Sequence, residues 1–376
     1  MDSLLSPLSF MRGATMWNRF MLAPMTNQQS HNDGTRSDDE LRWLRVRARG
    51  GFGYIITCAS HVQENGKGFP GELGIFSDQH MEGLKRLASA LRGEGSRSAV
   101  QLYHGGMRAI VGRCISPSGN AETNSPAMTE EEIGETIECF IVAAERTEKA
   151  GFDGVELHAA HGYLISQFLS PIYNRRQDDY GGSPERRSRF LFEIVKGIRA
   201  RCGVEFQLGV RLSPERFGQE LAEIREVVRR LVAERDIDFV DMSLWDVFKE
   251  PEDERFRGRS LMSLFTELDR RDVRLGVAGK VIKPHDAVHC LDNGADFVTL
   301  GKVAILHHDY PMRLAGNLGF TPLWIPVTAD YLRGEGLGES FIRYLSTWTN
   351  FVKDLEPPPG TFRFDIDEYL RKGASH

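Results

Sequence analysis

The sequence predicts an α/β protein of the (β/α)8 TIM-barrel class, with long loops at the C-terminal face and a C-terminal helical extension. Three observations carry that reading. Short apolar runs rich in Val, Ile and Phe alternate with segments of helical period, and they recur at the roughly 30- to 55-residue spacing of βα units. Several runs, such as Phe297-Val298-Thr299-Leu300, show no polar alternation, as expected of parallel strands buried on both faces.

The predicted strands fall at 20–23, 54–57, 99–103, 154–158, 207–212, 239–243, 275–278 and 297–300. Between them Leu84, Leu87, Ala88 and Leu91 repeat at i, i+3, i+4 and i+7, as do Ile224, Val227, Val228 and Leu231. Such one-faced helices need a sheet to cover. Thr129 with Glu132 forms a capping box, and Ser183-Pro184 sets a cap before a first-turn proline. Gly151 and Asn293-Gly294 supply stops. Eight strands with right-handed crossovers can close, which favours a barrel; an open doubly wound sheet fits the same pattern.

Two segments exceed a minimal barrel, a Gly/Ser/Pro-rich loop at 104–128 and a second at 170–183. Loops at the C-terminal ends of barrel strands carry active sites, so both are candidate pocket walls. Residues 1–310 are read as the barrel. Residues 311–376, including a helical piece at 341–352, form an extension packed on the barrel or on a neighbouring subunit.

The chain has 376 residues, 41% hydrophobic and 27% charged, enough for a large core. Its net charge of -6 is dispersed, which argues against nucleic acid or an acidic membrane surface and points to a small-molecule substrate. Five cysteines without a C-x2-C pair argue against a disulfide framework or a zinc ribbon. No signal-like start and no 18-residue apolar run occur, so a cytoplasmic, non-membrane protein is expected.

The densest chemistry lies at the end of the fourth predicted strand, where His158, His161 and Tyr163 fall within six residues. Two imidazoles can hold an oxyanion or a polarised carbonyl, and a phenol beside them can deliver a proton. The structural alternative is a histidine that satisfies backbone groups and a tyrosine that fills the core.

The runs HAAHGYLISQFLSP (158–171) and DDYGGSPERRSRF (178–190) resemble the signature of the old yellow enzyme family of FMN-dependent NAD(P)H:flavin oxidoreductases and ene-reductases, its bacterial branch in particular. The resemblance continues in NRFMLAPMT (18–26), VQLYHGG (100–106) and VRLS (210–213), in collinear order from about residue 7 to about residue 310. It implies FMN as cofactor and NADH or NADPH as reductant. It also implies a homo-oligomer, as is common in that branch.

The resemblance carries roles to single positions. Ala23, Pro24, Met25 and Thr26 would line the flavin, with the Thr26 hydroxyl near O4 where the bacterial branch often has cysteine. Ala59 would let the ring approach the backbone. Gln101 would hydrogen-bond the pyrimidine edge, and Arg211 would stabilise charge at N1 and O2 of the reduced flavin. Gly279, Lys280, Gly301 and Lys302, after the last two strands, would cradle the phosphate. Lys302 replaces the usual arginine, which keeps the charge and gives up the bidentate fork. His158 and His161 would anchor the substrate oxygen, Tyr163 would protonate, and Gln28 and Tyr103 would face the substrate.

Weaker signals point elsewhere. His285 and His289 stand at i, i+4 without the glutamate of a zinc protease motif, and read as a solvated helix face. Gly334-Glu-Gly-Leu-Gly follows no strand and reads as a helix-entry turn. Arg42, Arg45, Arg47 and Arg49 read as a solvated or subunit-facing surface. Two competing functions remain: a metal-dependent barrel hydrolase with His158, His161 and Glu156 as ligands, and a flavin-binding protein without reductase activity. Substrate identity rests with 104–128, 244–260 and the tail.

Overall fold

In the computed structural model, which describes residues 2–317 and 319–360, the strands close on themselves. They are β1 (Phe20–Leu22), β2 (Tyr54–His61), β3 (Leu73–Gly74), β4 (Arg97–Tyr103), β5 (Gly154–Ala159), β6 (Gln207–Leu212), β7 (Phe239–Ser243), β8 (Arg274–Ala278) and β9 (Phe297–Leu300). Every pairing is parallel, and β1 pairs with both β2 and β9, so the sheet is a barrel and the open-sheet alternative is excluded. The short β3 lies outside the ring, against the end of β2.

Side chains inside the ring stack in layers, because successive residues of a strand face opposite ways. The lowest layer is apolar: Met21, Tyr54, Ile56, Ala99, Phe239 and Phe297 pack there with Leu8, Phe10 and Met16 from the N-terminal segment. Glycines make room for its rings. A Cβ on Gly209 would stand 2.1 Å from the Phe239 ring, and one on Gly276 would stand 2.0 Å from Phe297. Two residues further along each strand the interior turns polar, with Gln101, Glu156, Arg211, Asp241 and Thr299. Two further again come Tyr103, His158, Ser213, Ser243 and Gly301, at the rim.

One strand breaks the alternation. Ile56 pairs with Ala99, but Ala59 pairs with Gln101, so β2 holds three steps where β4 has two. This bulge re-aims the strand. Ala59 then joins Tyr103 and Phe69, while Cys58 turns into the core outside the ring.

The expected helix signals are present. Thr129 and Glu132 form a reciprocal capping box on Glu130–Ala150, which ends at left-handed Gly151, and Ser183 caps Pro184–Arg201. The helical piece expected at 341–352 is shorter: Glu339–Ser346 is helical and the chain then turns. Ser346 and Thr347 hydroxyls donate to the carbonyls of Arg343 and Tyr344, and Asn350 takes a left-handed φ of 56°, a combination that ends a helix. The last part of the expected extension, 361–376, lies outside the described residues.

The arginine run divides. Arg45 and Arg49 pair with Glu94 at the surface as expected, but Arg47 is fully buried. Its guanidinium donates to the carbonyls of Trp43, Ala304 and Glu335, each at 3.0 Å, and to Ile305 at 3.3 Å, and it lies over the Trp43 ring. Trp43 in turn meets Phe341 edge-on at 4.9 Å. A solvated reading fails here because carbonyls at the ends of two other segments need a donor, and only a long cation reaches them all. Arg47→Ala should therefore destabilise the protein by about 3 kcal/mol or more, since several buried acceptors lose their donor together. Urea unfolding of the two proteins would measure this, and a loss below about 1 kcal/mol would contradict the anchoring role.

Candidate active site

A cavity of about 530 Å3 opens at the C-terminal ends of the strands. Its wall includes Ala23, Pro24 and Met25 after β1, Arg211 on β6, Gly279 and Lys280 after β8, and Gly301 and Lys302 after β9. The predicted flavin residues are thus largely gathered around one space. Gln101 lies buried beside the polar floor. Ala59 is set beside it by the bulge. Thr26 and Gln28 are half-buried and lie outside the residues of the wall; Gln28, at φ 55°, packs its backbone against Gly71.

The residues expected to hold the substrate form a compact group beside this wall. His158 ends β5, and His161 follows in a left-handed conformation with φ 60°. Three contacts hold it there: the Ser213 hydroxyl accepts from its backbone N–H at 3.0 Å, Arg108 donates to its carbonyl at 2.6 Å, and its Nε2 meets Ser243 Oγ at 2.8 Å. That conformation brings His161 Nδ1 to 3.3 Å from His158 Nε2. Tyr163 stands at the start of the next short helix, its ring 5.1 Å from His158 and 4.6 Å from Tyr103, with the Arg108 guanidinium 4.5 Å over its face. The tyrosine is therefore part of a polar cluster and does not act as core filler.

Burial holds the His158 imidazole well below its usual pKa, and His161, Arg211 and Arg108 add to the effect. His161 is lowered in the same way, by burial and then by Arg211 and Arg108. Both rings are neutral at pH 7, so each offers one donor and one acceptor.

Ser243, Ser213, Arg108 and Trp245 are site residues that the sequence reading did not single out. Ser243 and Ser213 carry the signal that marked Gln101 and Arg211, a polar residue at the end of an apolar strand. Arg108 ends a single 3-10 turn and Trp245 sits in a loop, where no periodicity marks them.

The floor and the far wall fit FMN. Arg211, which lines the cavity, leaves its Nε without a hydrogen-bond partner in the protein and its Nη1 with only the ion-pair contact to Asp241, which suits a polar heterocycle edge. Lys280, 3.2 Å from Asp246, and Lys302, over the Trp324 ring, put two cations on the side of the last two strands. A Cβ on Gly301 would meet only Met25 Sδ at 3.6 Å and Ala23 at 3.9 Å, so this glycine leaves the wall open. The hydrolase alternative loses its third ligand, because Glu156 is bonded to Gln101 in the layer below the imidazoles. No set of three or more His, Cys, Asp or Glu groups among the described residues is arranged to hold a metal ion.

The profile of the NADH:flavin oxidoreductase / NADH oxidase family matches residues 3–319. The chain belongs to that family. It is 35% identical to an NADPH dehydrogenase of Geobacillus sp. over 349 residues, 89% of this chain and 99% of that one. It is 34% identical over 416 residues to NADH:acrylate oxidoreductase of Vibrio harveyi, covering all of this chain and 40% of that one. The structure of an old yellow enzyme homologue from Zymomonas mobilis superposes with a TM-score of 0.75 at 26% identity, over 91% of this chain and 99% of the other. This member of the old yellow enzyme family is an FMN-dependent NAD(P)H oxidoreductase.

If Lys280 and Lys302 take the FMN phosphate, Lys280→Ala and Lys302→Ala should each raise the FMN dissociation constant by roughly 10- to 100-fold, the effect of losing a charge-assisted hydrogen bond. Titration of the apoprotein with FMN, followed by flavin fluorescence, reads this directly. Unchanged affinity in both variants would place the phosphate elsewhere.

Proposed function

We propose that the enzyme reduces alkenes conjugated to an electron-withdrawing oxygen, such as enones or quinones, with His158 and His161 as substrate anchors and Tyr163 as proton donor. The observation that carries this reading is the facing pair of ring nitrogens, His158 Nε2 and His161 Nδ1, beside a phenol and next to the flavin cavity. The activity in the name of the Vibrio harveyi relative, acrylate reduction, is of the same chemical kind.

Bound FMN supplies the hydride, received from NADH or NADPH and passed to the β-carbon of the alkene. The protein's part is to hold and polarise the substrate. A carbonyl oxygen that bridges the two neighbouring nitrogens from the cavity side would accept a hydrogen bond from each, provided His158 is protonated on Nε2 and His161 on Nδ1. We assign the Ser243 hydroxyl as the donor in its 2.8 Å contact with His161 Nε2, the direction that leaves the ring proton on Nδ1. Negative charge grows on the oxygen as hydride arrives, and donors already in place stabilise it most at the transition state. Tyr163 then gives its proton to the α-carbon.

Tyr103 borders the same space through its contact with Tyr163, and we assign it to the substrate wall. The five cysteines are all unpaired thiols, the state kept in a reducing cytoplasm.

Anaerobic addition of NADH or NADPH should bleach the flavin band near ~450 nm, and an enone or quinone should restore it. Bleaching that no activated alkene reverses would exclude ene-reduction. Tyr163→Phe should slow reoxidation by an enone roughly 10²- to 10⁴-fold and leave flavin reduction near normal; equal loss in both half-reactions would remove Tyr163 from the proton-donor role.

Ser243→Ala should weaken binding of a phenol, which mimics the substrate oxygen, by roughly five- to tenfold through loss of one hydrogen bond, with Ser243→Thr restoring it. A spectral titration of the bound flavin checks this. Unchanged phenol affinity would mean that Ser243 does not set the tautomer.

A further inference from the structure

The polar layer beneath the cavity holds one more acid than it has cations. Glu156 on β5 and Asp241 on β7 are both fully buried, and Arg211 on β6 stands between their strands. Arg211 Nη1 lies 3.4 Å from Asp241 Oδ2, and Thr299 on β9 donates to Asp241 Oδ1 at 3.1 Å. Gln101 on β4 meets Glu156 Oε1 through its Nε2 at 2.7 Å. Glu156 Oε2 has no hydrogen-bond partner in the protein, and Asp241 Oδ2 has only its ion-pair contact with Arg211. His158 stands two residues above Glu156 on its own strand, and Tyr54 on β2 lies in the layer below with its hydroxyl on Gln207.

With both acids ionised, this dry interior would carry an uncompensated negative charge. Burial disfavours that state. Burial, and then the charge of Asp241, push Glu156 up to about 8. Two buried carboxyls beside one guanidinium therefore favour keeping one proton between them.

The proton matters because the partner of Glu156 is an amide with two unlike ends. An ionised carboxylate only accepts, so it holds Gln101 by the NH2 group, which leaves the amide oxygen free to turn upward. A protonated carboxyl can donate to that oxygen, and the NH2 group then turns upward in its place. We propose that Glu156 is a positioning residue: the proton it shares with Asp241 decides which end of the Gln101 amide meets the flavin, so that flavin reduction draws a proton into the barrel.

This rests on the placement of the cofactor over Gln101 and Arg211 given above. Hydride from NAD(P)H carries two electrons to the cofactor and leaves NAD(P)+, and the cofactor gains one negative charge. A solvent proton taken onto Glu156 offsets that charge from below and presents a donor to it. The direction follows from the sign: added negative charge above Glu156 raises its affinity for a proton. Below about 8 the oxidised protein already holds the proton, so uptake is confined to higher pH.

Spectroelectrochemical titration of the holoenzyme from about pH 6 to about pH 10 tests the idea. The wild type should take up one proton per two electrons at the low end and two above about 8, doubling the pH dependence of the potential. Glu156→Gln should keep the single-proton slope throughout. A wild type without the break, or a variant that retains it, overturns the proposal. Redox difference infrared spectra of the wild type at about pH 9 give a reading that does not depend on the variant folding: reduction should produce a protonated carboxyl band, and its absence overturns the proposal. Gln101→Leu separates the two layers of the argument. Altered FMN affinity with Gln101→Leu, and no break in the wild type, refutes only the proton coupling. Unaltered affinity and potential in Gln101→Leu refute the cofactor placement, and the coupling with it.

Discussion

Closure of the ring through the pairing of β1 with both β2 and β9 is the constraint on which the rest depends. Once the ring is shut, each strand must send alternate residues into one narrow interior, and the height of a residue along its strand decides what it can do. The lowest positions meet only each other and are apolar. The middle positions are buried at the floor of the cavity, so acids and a guanidinium are held there at a cost that mutual pairing offsets. The rim positions face the cavity or its wall and are the ones to which the proposed chemistry is assigned. Fold and site are thus one arrangement read at different heights.

That geometry explains what was legible in the sequence. Strands β6, β7 and β9 occupy the predicted ranges, because a parallel strand buried on both faces is a short unbroken apolar run with turn residues at its ends. Gln101 and Arg211 stood out as polar residues near the ends of such runs. Glu156 and Asp241 lie in equally apolar surroundings, but a polar side chain inside a strand gives no sign of its height in the barrel. Their role needed the register. The loop residues Arg108 and Trp245 were hidden for a different reason: they act through one-off backbone paths, and Trp245 reaches its place with a left-handed φ of 67°.

Arg47 shows the limit of composition. Four arginines at alternating and neighbouring helix positions look like a surface, and two of them pair with Glu94 there. The third is taken inward because the segment after β9 and the loop at Glu335 both end with carbonyls that point at the same spot. The demand comes from other parts of the chain, so no window around residue 47 contains it. The same holds for Trp324, which brings the tail to Lys302 and gives that cation an aromatic face to lie against.

The bulge in β2 has a further consequence. Without the extra step between Ile56 and Ala59, the alternation would turn Cys58 inward, into the place Ala59 now holds beside Gln101. On the proposed placement of FMN, a thiol there would sit against a cofactor that, once reduced, can pass electrons to oxygen and form peroxide. Turned outward instead, Cys58 is buried beside Glu40, where burial and then the Glu40 charge raise its pKa well above the usual range and keep it from becoming the easily oxidised thiolate. One additional residue in a strand thus keeps this buried sulfur away from reactive oxygen.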